Sequence, residues 1–260
     1  MSDYPPPPPP PGGYGSPPPP PPGGYGGQPG TPPYSVGNAV SYGWAKFQAN
    51  AGQIIIAGLI ALVAIVVFQV IAVVIRGIIV TGPECTGTGF DIECTDGSGF
   101  FVSVFASAIS SFLFFVVYQI IGAGIIRGAL GITEGRPFEF NELFKTDKLG
   151  PVVITSLISG AIVFVGTLLC FLPGIIASFM LSFALYFVID KDMSPIEAIT
   201  ASFNLVKDNV GTALLWAIVA FAVTLVGFIA CGVGAIVSIP VAFIGTAYTY
   251  KLLTGQQVAA

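Results

Sequence analysis

Four cysteines are the residues whose type and spacing come closest to covalent chemistry in this chain. Cys85 and Cys94 flank an acidic, Gly- and Thr-rich segment, PECTGTGFDIEC, in which the chain can fold back on itself. In an oxidising compartment, two thiols at this spacing favour a disulfide, which contributes about 3 kcal/mol in the chain-entropy account. The alternative is a hard-cation site with Glu84, Asp91 and Glu93, but the segment lacks the dense oxygen-ligand spacing of known cation loops. We therefore predict a Cys85–Cys94 disulfide and no metal site.

The other two cysteines have two interpretations. Cys170 lies just before Pro173-Gly174, and Cys231 lies beside Gly232 and Gly234. These turn residues would bring the chain back on itself at both places, so the two thiols could meet and form a second disulfide. Cysteine is also a small apolar residue that packs well between helices. Packing is the favoured interpretation, and the second disulfide stays open.

The composition excludes several function classes. Only 8% of the 260 residues are charged and 54% are hydrophobic, which is too little charge to coat a soluble domain. The net charge of −4 excludes a strongly basic nucleic-acid-binding protein. The chain has no His, and no Gly-rich phosphate loop, nucleophile elbow or carboxylate pair is present. We therefore expect a membrane protein that is not an enzyme and uses no cofactor.

Four long runs without Asp, Glu, Lys or Arg set the number of membrane helices. They cover residues 47–75, 100–126, 149–189 and 209–250. A spanning helix needs about 20 apolar residues, so the first two runs suit one tilted helix each. The last two suit a pair each, divided at Pro173-Gly174 and at 231–234. The sequence predicts six transmembrane helices, near residues 51–76, 100–127, 150–170, 174–190, 210–230 and 234–252.

Ionisable groups are nearly absent from these predicted helices. Arg76 and Arg127 lie near helix ends, where their side chains are expected to reach the membrane interface. Gln69 and Gln119 are the polar side chains expected to hydrogen-bond between helices. The charged midplane site of an ion-coupled transporter is not visible.

Basic residues predict the orientation, because they favour cytoplasmic loops. With the N-terminus inside, Arg76 is the one basic residue among nine that does not lie on the cytoplasmic side. The acidic loop 77–99 then lies outside. Both termini are therefore predicted to be cytoplasmic.

The first 34 residues form a separate compositional region. They hold 16 of the 22 prolines and repeat PPPPPPGGYG at 6–15 and 17–26. Proline runs favour polyproline II rods, and the Gly-rich pieces act as joints, so the tail is predicted to be disordered. It is either a solvated spacer or a ligand for a cytosolic protein. In the second role the partner-binding residues are Tyr4, Tyr14, Tyr25 and Tyr34.

A short repeat precedes the membrane helices. Residues 35–52 align with residues 194–211 at a fixed offset of 159, with identical Ser, Ala, Asn and Gly at four positions. Apolar residues recur at helical spacing, which predicts an amphipathic helix along the membrane interface. The alternative is that any helix entering a bilayer has an amphipathic start. We call the predicted interfacial segments, with a weaker third copy in the middle, the lead-in segments 36–48, 138–146 and 195–207.

Three segments that follow the Pro/Gly/Tyr-rich tail in the sequence resemble a known family. LLCFLPG (168–174), VIDKDMSPIEAITASF (188–203) and IACGVGAIVSIPVAFIGTAYTYKLLTG (229–255) resemble the proline- and glycine-rich integral membrane proteins of actinobacteria. More distantly, they are similar to the membrane domain fused to some glycerophosphodiester phosphodiesterases. The resemblance covers most of residues 35–255 and implies six helices in a bacterial plasma membrane. The phosphodiesterase chemistry belongs to a separate soluble domain and does not carry over.

Together these features predict an all-α membrane protein with six transmembrane helices. The helices form three hairpins, each preceded by an interfacial amphipathic helix. The predicted domains are a disordered tail (1–34), a membrane domain (35–255) and a short cytoplasmic tail (256–260). The expected function is a non-catalytic plasma-membrane scaffold or accessory subunit. Its expected partners are the lipid bilayer, subunits of a membrane complex and a cytosolic protein bound by the tail. A small permease or lipid-handling protein with a groove between hairpins is the alternative.

Overall fold

The computed structural model describes residues 34–79, 84–86, 93–95, 99–169, 171–229 and 234–260. Within them, the prediction of an all-α chain is confirmed, apart from two short paired strands, β1 (Glu84–Thr86) and β2 (Glu93–Thr95). A 3-10 helix covers Phe140–Phe144. The α-helices are α1 (Val36–Ile79), α2 (Phe100–Thr133), α3 (Leu149–Leu169), α4 (Phe171–Met180), α5 (Ala184–Lys191), α6 (Pro195–Asp208), α7 (Val210–Ile229) and α8 (Ala235–Leu253).

Six helical segments of the described chain are long and apolar enough to cross a membrane, as predicted. The fourth of them combines α4 and α5, which a short turn separates. This is the architecture of a multi-pass membrane protein. The segments are Val36–Ile75, Phe101–Thr133, Leu149–Leu169, Phe171–Lys191, Val210–Ile229 and Ala235–Leu253.

The first lead-in segment does not form a separate helix, which corrects the prediction of a break before residue 51. α1 continues for 44 residues, which is about 66 Å at 1.5 Å per residue. Asn50 is accommodated because its side chain donates to the main-chain oxygen of Lys46 at 2.9 Å. A single glycine such as Gly52 costs a helix only about 1 kcal/mol.

The boundary between α3 and α4 lies earlier in the chain than the predicted Pro173-Gly174, because α3 ends at Leu169 and α4 already begins at Phe171. Pro173 lies in the first turn of α4, where its missing N–H leaves no helical hydrogen bond unmade. Gly174 allows the two helices to meet, because a Cβ there would lie 2.1 Å from Oγ1 of Thr167. α7 ends at Ile229 and α8 begins at Ala235, on either side of the predicted split at 231–234.

The second and third lead-in segments differ from each other. The third, α6, begins with a capping box in which the main-chain N–H of Ser194 donates to Oε2 of Glu197 at 3.1 Å. The second is not an α-helix over 138–146, which corrects the prediction. The stretch between Pro137 and the start of α3 at Leu149 is short for an α-helix, and it contains only the 3-10 helix.

Each lead-in segment packs against a helix of another part of the chain. α1 packs on α8, the 3-10 helix on α2, and α6 on α5. Glycines permit the closest approaches: a Cβ at Gly43 would lie 2.6 Å from the main-chain oxygen of Val241, and one at Gly124 would lie 2.3 Å from Cα of Leu143. The two repeat copies bury corresponding positions at the offset of 159, namely Ala39 and Ala198, Gly43 and Ser202, and Phe47 and Val206.

Burial is concentrated towards one end of the longest helices. The main core cluster takes buried side chains from seven of the α-helices and from the 3-10 helix, and the partly buried Phe179 and Met180 of α4 pack against it. In contrast, no described side chain of α1 after Ala61, and none of α2 before Gln119, is buried. Phe68 and Phe114 meet across these two stretches, with ring centroids 6.2 Å apart. We call residues 62–79 and 100–118 the distal arm.

Candidate functional site

Buried charged side chains meet where α2, α5 and α8 end. Nζ of Lys251, in the last turn of α8, lies 2.5 Å from Oδ1 of Asp190 on α5 and 2.9 Å from Oε1 of Glu134, which follows α2. The Lys251 and Asp190 side chains are only 4% and 7% exposed, whereas Glu134 is 39% exposed. Burying charges is costly unless they are paired. One cation and two carboxylates therefore connect the C-terminal ends of three helices.

Neutral groups complete the hydrogen bonding of Asp190. The hydroxyl of Tyr250 donates to Oδ2 of Asp190 at 3.0 Å, and the side-chain amide of Gln256 donates to the same oxygen at 2.8 Å. Oε1 of Gln256 accepts from Nζ of Lys251 at 2.8 Å. We call these five residues the ionic cluster: Glu134, Asp190, Tyr250, Lys251 and Gln256.

Glu134 connects the ionic cluster to the surface. Its Oε2 lies 2.6 Å from the guanidinium of Arg136, which is exposed. Partial burial acts to raise the pKa of Glu134, but the hydrogen bonds from Lys251 and Arg136 outweigh it and keep the pKa below its ordinary value. Glu134 is therefore ionised at neutral pH.

Aromatic rings cover the inner side of the ionic cluster. The ring of Tyr250 packs against those of Phe183, Tyr186 and Phe187, with centroids 6.1, 5.4 and 5.1 Å away. These rings keep water from the Asp190–Lys251 pair, which strengthens the electrostatic attraction between the two side chains.

Two further ion pairs join the segment before α3 to its neighbours. Arg127 was predicted to extend to the membrane interface, but its side chain is buried and lies 3.0 Å from Asp147. It also donates to the main-chain oxygen of Lys145 at 2.7 Å. Lys148 lies 3.0 Å from Asp192, beyond the end of α5. These charges fix the start of α3 against α2 and α5.

An apolar cavity of about 520 Å³ lies between α1, α2 and α8. Its volume falls within the range of about 300–1,000 Å³ typical of small-molecule sites. Every lining residue is apolar, and the segment after α2 contributes Phe138 and, from the 3-10 helix, Leu143 to the wall. The other walls include Ile54, Ala57 and Leu62 of α1, Ile125 and Ile132 of α2, and Ile236, Pro240 and Phe243 of α8.

The cysteines predicted to form a disulfide lie on the two paired strands. β1 and β2 are antiparallel, and Cys85 is directly opposite Cys94 in their register. Opposed residues in such a pair have Cα atoms about 4.5–5.5 Å apart, a separation that a disulfide can bridge. The disulfide itself stays a prediction. Cys170 and Cys231 lie outside the described residues.

Of the predicted partner-binding tyrosines, only Tyr34 is among the described residues, and Tyr4, Tyr14 and Tyr25 lie outside them. Tyr34 is partly buried, and its hydroxyl lies 3.2 Å from Oγ1 of Thr249 on α8. Burial raises the pKa of Tyr34, and the hydrogen bond with Thr249 offsets only part of that effect. Tyr34 contributes to the packing of α1 on α8, and its role in binding a partner stays a prediction.

The two glutamines expected to bond between helices have different environments. Gln119 is buried and donates to the hydroxyl of Ser156 on α3. Gln69 is exposed on the distal arm and forms no hydrogen bond within the described part of the chain. Across the same described ranges, no group of three or more Cys, Asp or Glu side chains is suited to holding a metal ion.

Comparison with known proteins relates this architecture to mycobacterial chains. The chain is 35% identical over 236 residues to the uncharacterised protein Rv2560 of Mycobacterium tuberculosis H37Rv, and the match covers 86% of this chain and 70% of that protein. The chain belongs to the Rv2560 family. The uncharacterised proteins Mb2590 of Mycobacterium bovis and MT2637 of M. tuberculosis CDC 1551 match at the same identity over the same lengths. No protein-family model and no solved structure matches the chain.

The ionic cluster of this Rv2560-family chain is the part of the site that sequence reasoning missed. The charge pattern places Lys251 among the cytoplasmic basic residues and predicts no role for Asp190 or Glu134. A signal was present, because the charge-free runs 149–189 and 209–250 end on residues of opposite charge. Charges placed at the ends of neighbouring spanning helices can pair when those helices end at the same level.

Proposed function

We propose that this chain is a non-catalytic scaffold or accessory subunit of a larger complex in a bacterial plasma membrane. The observation that carries the proposal is the distal arm. None of its large apolar side chains that the structure describes is buried, whereas the ionic cluster and the core fix the other end of the same helices. A fixed end and an uncovered arm suit a subunit that binds other membrane proteins through the arm.

The length of α1 supports a protein partner for the arm. α1 is about 66 Å long, and the hydrocarbon core of a bilayer is about 30 Å thick. Such a helix must tilt, extend beyond the bilayer or associate with other helices. The arm also contains a cleft of about 260 Å³ lined by Gln69, Ser107, Ser110 and Ser111 among apolar residues. Polar side chains of this kind promote association between membrane helices.

The finer architecture is part of the same proposal. Three units, each a lead-in segment followed by a helical hairpin, lie in the membrane with the ionic cluster on the cytoplasmic side. The concentration of basic residues near that end supports this orientation, with both termini inside. The bacterial origin of the relatives supports a plasma-membrane location. The Pro/Gly-rich tail would then bind a cytosolic protein through its tyrosines.

Site-specific photocrosslinking in living cells tests the scaffold proposal. A photoreactive phenylalanine analogue replaces Phe105 on the arm, and a matched variant carries it at Leu215 on α7; both side chains are well exposed, at 68% and 58%. We expect discrete protein adducts from position 105 and none from position 215. Adducts to lipid alone at both positions would refute the scaffold function.

We propose lipid handling as a second candidate function, because the α1–α2–α8 cavity favours it. The cavity is apolar throughout and lies between helices able to span a bilayer, where acyl chains are the surrounding molecules. Native mass spectrometry of the purified chain should show a retained lipid. Ala57→Phe fills the cavity and should remove that lipid, whereas Ala64→Phe, on α1 outside the cavity, should retain it. Equal lipid content in the two variants would refute this function.

A further inference from the structure

The segment that follows α8 crosses the ionic cluster and bonds to other helices. Gly255 turns the chain with a φ of 71°, a conformation that favours glycine. Beyond it, the main-chain N–H of Ala259 donates to the main-chain oxygen of Thr133 at 2.7 Å. The Tyr42 hydroxyl donates to the main-chain oxygen of Ala259 at 3.1 Å, and Lys46 donates to that of Ala260. We call Gly255–Ala260 the strap.

The strap joins α1 to α2, and both helices line the apolar cavity at other positions along their length. Tyr42 and Lys46 belong to α1, and Thr133 is the last residue of α2. Ile132, the residue before Thr133, lines the cavity, and its main-chain oxygen also lies 3.5 Å from the Tyr42 hydroxyl. The strap therefore connects α1 to α2 at the end of the cavity nearest the ionic cluster.

Polar bonds attach the strap. The side chain of Gln256 bonds to Asp190 and Lys251, and also to the hydroxyl of Thr254 at 3.0 Å. Val258 contributes a partly buried side chain to the small cluster around Trp216. Segments with few buried apolar contacts open at lower free energy than the core of a protein. The strap can therefore leave its position without unfolding the helices beneath it.

We propose that the strap is a releasable latch that sets the separation of α1 and α2, and thereby the width of the cavity. While Gln256 is bound in the ionic cluster, the strap keeps the ends of both helices together. Its release lets them part and widens the cavity for a lipid acyl chain. The identity of the ligand rests on the lipid-handling function proposed above, whereas the latch rests on the contacts of the strap.

The test uses the full chain in lipid nanodiscs. Gln256→Glu adds a carboxylate beside Asp190 and Glu134, and Gln256→Ala removes the amide without adding charge. Gln48→Glu makes the same change as the first variant at an exposed glutamine of α1 and is the matched control. Hydrogen exchange reports on the strap amides. Spin labels at position 53 of α1 and position 122 of α2, where a side chain would meet nothing within 4 Å, report the distance between the two helices in a background with all four cysteines replaced by serine.

We expect both Gln256 variants to exchange the strap amides about tenfold faster than wild type and to show a longer 53–122 distance, with no change in Gln48→Glu. Faster exchange with an unchanged distance would overturn the latch. Unchanged exchange in both Gln256 variants would overturn its dependence on the ionic cluster. The fluorescent fatty acid cis-parinaric acid reports the ligand separately. If the distance lengthens but no variant binds this probe above the level of empty nanodiscs, the latch stands and the lipid-handling function fails.

Discussion

Replacing Lys251 with methionine should strongly destabilise the chain. Methionine keeps most of the apolar stem of the lysine but removes the ammonium group. Asp190, at 7% exposure, would then have only the neutral donors of Tyr250 and Gln256, and Glu134 would lose its buried partner. Removing one member of a buried ion pair costs about 3–5 kcal/mol. In a chain of this length that corresponds to a melting temperature lower by about 6–20 °C.

The assay is size-exclusion chromatography of the detergent-solubilised protein after heating to a series of temperatures. Lys207→Met is the control, because Lys207 is an exposed lysine in the last turn of α6. Asp190→Asn should cost less than Lys251→Met, because Lys251 would retain Glu134 and Gln256 as partners.

The double variant Asp190→Leu with Lys251→Met tests whether the two side chains act as a pair. A buried ion pair replaced by apolar residues of similar size is often neutral in stability, so the double variant should recover most of the loss. The importance of the buried ion pair would be refuted if Lys251→Met and the control Lys207→Met had the same melting temperature. The pairing would equally be refuted if the stability losses of Asp190→Leu and Lys251→Met, each measured alone, simply added in the double variant.

Three further predictions concern other parts of the molecule. The pKa of Glu134 is lower in the folded chain than its ordinary value of about 4.3. The ionised Glu134 therefore stabilises the fold at pH values above about 4.3, and this contribution is lost as the pH falls through the folded pKa. Wild type should therefore lose more thermal stability than Glu134→Gln between about pH 6 and pH 3, and parallel profiles would contradict this. Gly124→Ala should lower the free energy of unfolding by about 1–3 kcal/mol, because the new Cβ would lie 2.3 Å from Cα of Leu143. Gly122→Ala is the control and should leave stability unchanged, because a Cβ there meets nothing within 4 Å. Equal melting temperatures of the two variants would show that the 3-10 helix does not fix α2. In intact cells, Cys85 and Cys94 should react with a membrane-impermeant maleimide only after reduction, and labelling before reduction would show free thiols.

The number of spanning segments could be predicted from the sequence because the bilayer imposes a length on each one separately. A run such as 100–126 suits one helix regardless of what packs on it. Turn positions were harder to predict. The predicted break at 231–234 lies between the end of α7 at Ile229 and the start of α8 at Ala235. Pro173, in contrast, is tolerated inside the first turn of α4, which already begins at Phe171.

The continuity of α1 and the ionic cluster could not be predicted, because both depend on contacts distant in sequence. Asn50 stays helical while its side-chain oxygen accepts from the main-chain N–H of Phe138 at 3.1 Å, a contact 88 residues away. Lys251 is separated from Asp190 by 61 residues and from Glu134 by 117. Local propensity and periodicity carry no information about pairs at such separations.

The proposed three-unit arrangement explains why the charges lie where they do. The helices on which the lead-in segments pack, α8, α2 and α5, are the ones that end at the ionic cluster. If each lead-in segment packed only on its own hairpin, the three units could separate without breaking any of these contacts. Because each packs on a helix of another unit, the ends of α2, α5 and α8 converge, and a cation between two carboxylates joins them there. The distal arm extends α1 and α2 beyond this connected region, so it can bind a partner without disturbing the contacts that hold the units together.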